Sequence, residues 1–237
     1  MKKLLLMAFL AATTVSAQFS PDLGAMMTSS FAYGGDAKPL AQSAAAEPAT
    51  PQAAERLQTL PEIKVSSAEV ESMAKTLAQH FPADHREQAQ QLYIQLYNYY
   101  DSDVEKPSDR TLAAAFAHFL IANYHTYHNT PLTPQSQADA LDKITEQVEK
   151  QFAAALLANP GAYEQVAAAT KKEAYLQAVM IGTQMLVVLG GHQGIIPNVP
   201  DDNFPAAQAA AKNALEDMTK VPVDKIHLTE NGLSIDD

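Results

Sequence analysis

The chain has 237 residues, 47 % of them hydrophobic and 18 % charged, and carries a net charge of −11 at neutral pH. Such acidity repels nucleic acid and anionic membrane surfaces, and Lys171-Lys172 is the only adjacent basic pair after Lys2-Lys3. Cysteine is absent, which excludes a disulfide framework, a thiol nucleophile and a lipidated N-terminal cysteine together.

The first stretch, "MKKLLLMAFLAATTVSAQ", has a basic start at Lys2 and Lys3, an apolar run from Leu4 through Ala12, and small residues at Val15 and Ala17. This pattern predicts a secretory signal over residues 1–17, of bacterial type, and hence a periplasmic or extracellular protein. The segment holds two lysines and no acid, so its removal takes the net charge from −11 to −13. Residues 18–64 are rich in Ala, Pro, Ser and Gln, as in "AKPLAQSAAAEPATPQAAE". Too little apolar surface is available there to offset the entropy of ordering, and a disordered linker is expected. Within it, "FSPDLGAMMTSSFAYGG" carries Phe19, Met26, Met27, Phe31 and Tyr33; a disordered segment is favoured over a docking arm, because Gly34-Gly35 gives it nothing local to pack against.

Helical punctuation begins at Val65. Ser66 and Glu69 form an S-x-x-E capping box, and Val65 with Val70 a hydrophobic staple, which predicts a helix over about 67–81 with Val70, Met73, Ala74, Leu77 and Phe81 on one face. A second helix is expected from Asp84 to about Tyr100, with Ala89, Leu92, Tyr93, Leu96 and Tyr100 inward. Ser108 is the expected cap of a third, which stops before Pro131. Thr133 and Pro134 start a fourth, ended by Asn159-Pro160-Gly161. "TKKE" at 170–173 reads as a capping box for a fifth helix that ends at Gly190-Gly191. Its run "AVMIGTQMLVVL", apolar nearly all round, marks the central buried element, and twelve residues are too few to cross a bilayer, so no membrane span is expected after signal removal. A last helix is expected near 205–219, and "KIHLTENGLSI" alternates around Asn231-Gly232 as a short hairpin that must lean on the helices. The fold class is therefore all-α: a single bundle of about six helices over residues 65–237, with a C-terminal β-hairpin.

Candidate chemistry centres on "FAHFLIANYHTYHN", residues 116–129, which holds three of the seven histidines. At about 100° per residue, His118, His125 and His128 fall within an arc of roughly 80°. His118 stands seven residues, about 10.5 Å, from His125, so His125 and His128 are the pair able to share a metal ion. A zinc site needs three or four ligands, and neither H-E-x-x-H nor the E-x-x-H of di-iron bundles occurs. The pattern favours the solvated end of a helix, with Leu112, Phe116, Phe119 and Leu120 on the buried side and histidine pKa values near or slightly above ~6.5 through the helix dipole. Tyrosines on the second and third helices, including Tyr97 and Tyr124, with Glu173 and Gln177 on the fifth, are the candidates for a ligand groove; a border between core and water is the more common use of such rings. "GGHQG" at 190–194 follows a helix C-terminus, where carbonyls point outward, and is no phosphate loop. No G-x-S-x-G elbow is present and no cofactor is implied.

The segment "TKKEAYLQAVMIGTQM", with Lys172, Glu173, Tyr175, Gln177 and Gly182, together with "RTLAAAFAHFLIANYHTY" and "LTENGL", resembles an uncharacterised family of exported bacterial helical proteins over about residues 84–235. The resemblance implies an extracytoplasmic helical domain and no particular activity. The functional expectation is an exported helical domain that binds a protein or a small molecule without catalysis. The alternative is a metal-binding protein or enzyme built on His125 and His128.

Overall fold

The computed structural model describes residues 39–47, 52, 55, 58–103, 107–132, 138–158, 160–197, 199 and 201–236. Eight helices and one hairpin make up the described chain: α1 (Leu40–Ala46), α2 (Ser67–Ala78), α3 (Arg86–Asp103), α4 (Leu112–His128), α5 (Ala138–Ala158), α6 (Pro160–Gln165), α7 (Ala168–His192), α8 (Phe204–Thr219), then β1 (Ile226–Thr229) and β2 (Gly232–Ile235). The all-α class with a small hairpin is as the sequence predicts. The expected signal, the "FSPDLGAMMTSSFAYGG" stretch and the Thr133-Pro134 start lie outside the described residues.

Local chemistry sets most boundaries. The Ser66 side chain accepts from the Glu69 backbone, and the Glu69 carboxylate accepts from the Ser66 N–H at 2.6 Å, so α2 begins on the predicted capping box. For α4 the cap is Thr111 rather than Ser108: its hydroxyl accepts from Ala114 N at 3.2 Å, and Ser108 belongs to a short 3-10 turn, Pro107–Arg110. Asn129, left-handed at φ 48°, closes the helix.

The α7 boundaries depart from expectation at both ends. The helix starts at Ala168 without a side-chain cap, so Thr170 is interior and no capping box forms; it also continues through Gly190 and Gly191. Those glycines pack rather than terminate. A Cβ on Gly190 would stand 2.9 Å from Ile196 Cδ1, and one on Gly191 would collide with the Val199 side chain. The resulting 25-residue helix, of mean hydropathy 1.4 over its apolar window, is long and apolar enough to cross a membrane, which the twelve-residue run did not suggest; 83 % of that window is buried inside the bundle.

The core is centred on α4 and α7, which pack on each other more extensively than any other pair. Ala113, Ala114, Ala115 and Ala117 keep the α4 surface low, and Gly182 does the same for α7. A Cβ at Gly182 would lie 2.6 Å from His118 Cδ2 and 3.2 Å from the Phe119 Cα, so glycine sets the approach. α3 and α2 cover one side of this pair, α5 and α8 the other.

Helix α1 corrects the expected 18–64 linker. Leu40, Ala41 and Ala44 are buried against α5, α8 and β2, and Gln42 Nε2 donates to Thr219 O at 2.7 Å. Leu60 and Ile63 are buried as well. Composition averaged over the stretch hides these few residues, which find their apolar partners only at long range. The hairpin does lean on the bundle: the Gln151 side chain accepts from Leu233 N at 2.7 Å and donates to Leu233 O at 3.0 Å.

Candidate functional site

Tyr93, Tyr97 and Tyr100 recur at i, i+4 and i+7 on the inward face of α3, which runs antiparallel to α7. At one end of this seam Tyr93 donates to Gln184 Oε1 at 3.1 Å, both side chains being buried. Gln177, seven residues earlier on the same face of α7, is buried too. Further along, Tyr100 donates to the Asp109 carbonyl at 3.1 Å and packs its ring on His118 at 4.9 Å, while His118 Nε2 meets Thr183 Oγ1 at 3.1 Å.

Tyr175 lies at this end of the seam with none of its surface exposed, and its hydroxyl has no hydrogen-bond partner. The Tyr97, Tyr100 and Tyr175 phenols are close enough to act on one another electrostatically, and Asp101 and Arg110 act on all or most of them. Burial pushes the Tyr97 phenol up to about 12, with Asp101 adding to the shift and Arg110 opposing it. Tyr100 is raised by burial, then by Glu149, Asp109 and Tyr97; Tyr175 by burial, then by Tyr100, Tyr97 and Asp101, again against Arg110. Arg110 sits at the rim, its side chain 30 % exposed, with Nε 2.9 Å from Asp101 Oδ1 and Nη1 3.7 Å from Glu62 Oε1. Its carbonyl accepts from Ile63 N at 2.7 Å, which ties the segment before α2 to the start of α4.

The four groove candidates do not converge. Tyr97 belongs to the cluster just described and Gln177 to the same seam, whereas Glu173 is exposed at the surface. Tyr124 lies fourteen residues beyond Arg110, about 20 Å along α4, with its ring against His128 at 4.3 Å. The sequence placed Tyr97 and Tyr124 together because their helices are adjacent; axial position separates them. Tyr175, Arg110 and Asp101 were the residues missed, and the legible signal was the tyrosine spacing on α3 opposite another tyrosine on the buried helix.

The histidines also need correction. Packed by α7, α5 and α8, α4 has no solvated histidine face over most of its length. His118 occupies the α4–α7 crossing, where burial lowers its pKa to about 4. Both His125 ring nitrogens are hidden and lack a hydrogen-bond partner, and burial, followed by His128, lowers its pKa. His128 is exposed, yet it too is lowered, first by desolvation and then by His227 of β1. Desolvation thus outweighs the helix dipole. For the His125–His128 metal reading, no group of three or more His, Cys, Asp or Glu suited to an ion forms among the described residues.

The arrangement closest to a catalytic dyad is His192 with Asp201. Nδ1 of His192 contacts the carboxylate, Nε2 stands 3.3 Å from Asn129 Nδ2, and the ring stacks on Phe204 at 3.7 Å and 3°. With both nitrogens engaged and the ring clamped, the imidazole pins the end of α7 to the start of α8. Gln193 continues this fastening, donating to Thr130 O at 2.9 Å and accepting from Leu132 N at 2.7 Å.

A family model described as a family of unknown function, DUF6683, matches residues 4–236. The chain belongs to DUF6683. The match extends beyond the 84–235 span that carried the resemblance to an uncharacterised family, and it takes in nearly the whole chain. No curated protein and no solved structure matches it. Membership in DUF6683 brings no activity with it, so the functional reading rests on the geometry of the seam.

Proposed function

We propose that this DUF6683 chain is an exported, non-enzymatic binding domain that takes its ligand at the Tyr97–Tyr100–Tyr175 end of the α3–α7 seam. One atom carries the reading: the Tyr175 hydroxyl, on a side chain with no exposed surface, lacks a hydrogen-bond partner. Leaving such a group unpaired costs about 1–3 kcal/mol. The neighbouring Tyr93 and Tyr100 hydroxyls are both engaged, so an open valence at Tyr175 is a local exception. A bound molecule that completes it turns a stability cost into binding specificity. Export is supported by the basic start, short apolar run and small residues of positions 1–17.

Catalysis or metal binding by His125 and His128 has less support, because a third ligand is missing among the described residues and the one carboxylate-paired imidazole with stacked geometry, His192, is fully engaged. The test is a thermal-shift survey of small molecules on the mature protein, run in parallel with Tyr175→Phe. The binding reading expects stabilising compounds whose effect the Tyr175→Phe change abolishes. Robust hydrolysis of an ester or peptide substrate that His125→Ala removes would overturn it.

A further inference from the structure

The orientation of two side-chain amides fixes where His192 carries its proton. Gln193 Oε1 accepts from the Leu132 N–H at 2.7 Å, and Gln193 Nε2 donates to the Thr130 carbonyl at 2.9 Å. Both partners are backbone groups whose roles cannot be exchanged, so the Gln193 amide has one orientation. Its Nε2 also donates to Asn129 Oδ1 at 3.2 Å, which sets Asn129 Nδ2 against His192 Nε2 at 3.3 Å. A donor facing that ring nitrogen needs an acceptor, so Nε2 is bare. The proton sits on Nδ1, which donates to Asp201 Oδ1.

A second proton enters at Nε2 and sets N–H against N–H. Asn129 cannot answer by turning its amide over, because Nδ2 would then face Gln193 Nε2, another donor. The Asp201 contact survives protonation as an ion pair, screened because that carboxylate is 72 % exposed, and the ring keeps its stack on Phe204 at 3.7 Å. Other ionisable groups on elements packed about α7 near this end are Asp202 on the same turn, His125 and His128 at the end of α4, and Arg86 and Glu87 at the start of α3; α8 has no charged residue before Lys212. Arg86 donates to the Phe81 carbonyl at 3.1 Å and His128 packs on Tyr124 at 4.3 Å, so Asp201 is the charge in direct contact with the imidazole.

We propose that this relay is a proton-operated latch on the connection that leaves α4. With His192 neutral, residues 129–132 are tied to the end of α7 through both His192 and Gln193. With His192 charged, Asn129 is pushed off the ring and the Gln193 amide keeps only its two backbone partners, while Asp201 and Phe204 still pin α7 to α8. Leu132 packs its side chain against the core, so the release is a local opening rather than unfolding. The latch uses no residue of the tyrosine seam and stands independently of the binding reading.

The experiment follows isotope-labelled protein by nitrogen NMR from about pH 8 to about pH 5, the range in which imidazoles take up a proton. At the upper end His192 is expected to show a protonated Nδ1 and a bare Nε2. As Nε2 gains its proton, amide exchange at Leu132, corrected for the intrinsic effect of pH, is expected to quicken several-fold. Acid also weakens the whole fold, and Asn129→Asp separates the two effects. It offers Nε2–H an acceptor in place of the Nδ2 donor, and aspartate tolerates the left-handed backbone at this position, φ 48°. In that variant Leu132 is expected to stay protected as His192 becomes charged. A bare Nδ1, or a ring already charged at the upper end, overturns the tautomer and the latch with it. Leu132 exchange that ignores the His192 proton overturns the latch, as does an Asn129→Asp variant in which it quickens as much as in the unmodified protein.

Discussion

Gln151 pairs with Leu233 as a strand would, its side-chain amide accepting from the Leu233 N–H at 2.7 Å and donating to the Leu233 carbonyl at 3.0 Å. Both groups are buried, and the contact joins α5 to an antiparallel hairpin in register Ile226↔Ile235 through Thr229↔Gly232. A lone two-stranded hairpin is marginal in water, so this amide replaces a missing third strand at one position. Gln151→Ala leaves a buried donor and acceptor unpaired and is expected to cost about 1–3 kcal/mol. Urea denaturation measures the loss, and hydrogen exchange at the Leu233 amide should accelerate more than at amides of α7.

The α4–α7 crossing predicts an inverted glycine effect. Gly→Ala in an open helix gains roughly 1 kcal/mol from propensity. At Gly182 the added methyl meets His118 Cδ2 and the Phe119 backbone, so Gly182→Ala is expected to destabilise by about 1–3 kcal/mol instead. Combining it with His118→Ala removes the nearer of the two obstacles, and the double variant should lose less than the two single losses together. Additivity within about 0.5 kcal/mol would show that the clash is not what sets the cost.

Mild acid should weaken the fold through its histidines. His118 is held at about 4 by burial, and His125 and His128 are also lowered. The unfolded chain takes up protons near 6.5, before the folded one does, so stability is fully present above that pH and declines as pH falls towards 4. For His118 alone the gap corresponds to a loss on the order of 3 kcal/mol. Glu69, held at about 2 by Lys172 and the Ser66 cap, acts in the same direction over a lower window: its contribution is present above about 4.5 and is lost as pH falls towards 2. Urea midpoints measured from pH 7.5 to 4.5 should therefore fall, and His118→Gln should flatten the slope. An unchanged slope in that variant would assign the acid sensitivity elsewhere.

Helix α1 makes a prediction about limited proteolysis. With Leu40, Ala41 and Ala44 buried, the resistant core is expected to include Leu40–Ala46 rather than to begin at Val65. Leu40→Asp places a charge at a site that is 7 % exposed, and should cost about 2–4 kcal/mol or release the segment to protease. Mass spectrometry of the surviving fragment distinguishes a docked helix from a tether.

The sequence by itself determined those features whose causes lie within a few residues of one another. The Ser66–Glu69 box fixes the start of α2, the 3.6-residue stripe from Val70 to Leu77 fixes its buried side, and Asn231-Gly232 marks the hairpin, whose turn residues are Glu230 and Asn231 with Gly232 already paired to Thr229, because each depends on local hydrogen bonding or on one side of a single element. The apolar run of α7 likewise announced the central helix. Tertiary structure alone decided which glycines pack and which terminate, since that depends on whether Ile196 and Val199 fold back over Gly190 and Gly191. It also reversed the reading of the α4 histidines: three imidazoles on one face look solvated until neighbouring helices cover that face, and desolvation then outweighs the helix dipole. The candidate site was half legible. The tyrosine spacing on α3 is written in the sequence, but the convergence of Tyr97 and Tyr100 with Tyr175, Asp101 and Arg110, and the separation of Tyr97 from Tyr124, follow from how far along each axis two antiparallel helices meet, a quantity that side-chain packing sets and periodicity does not encode.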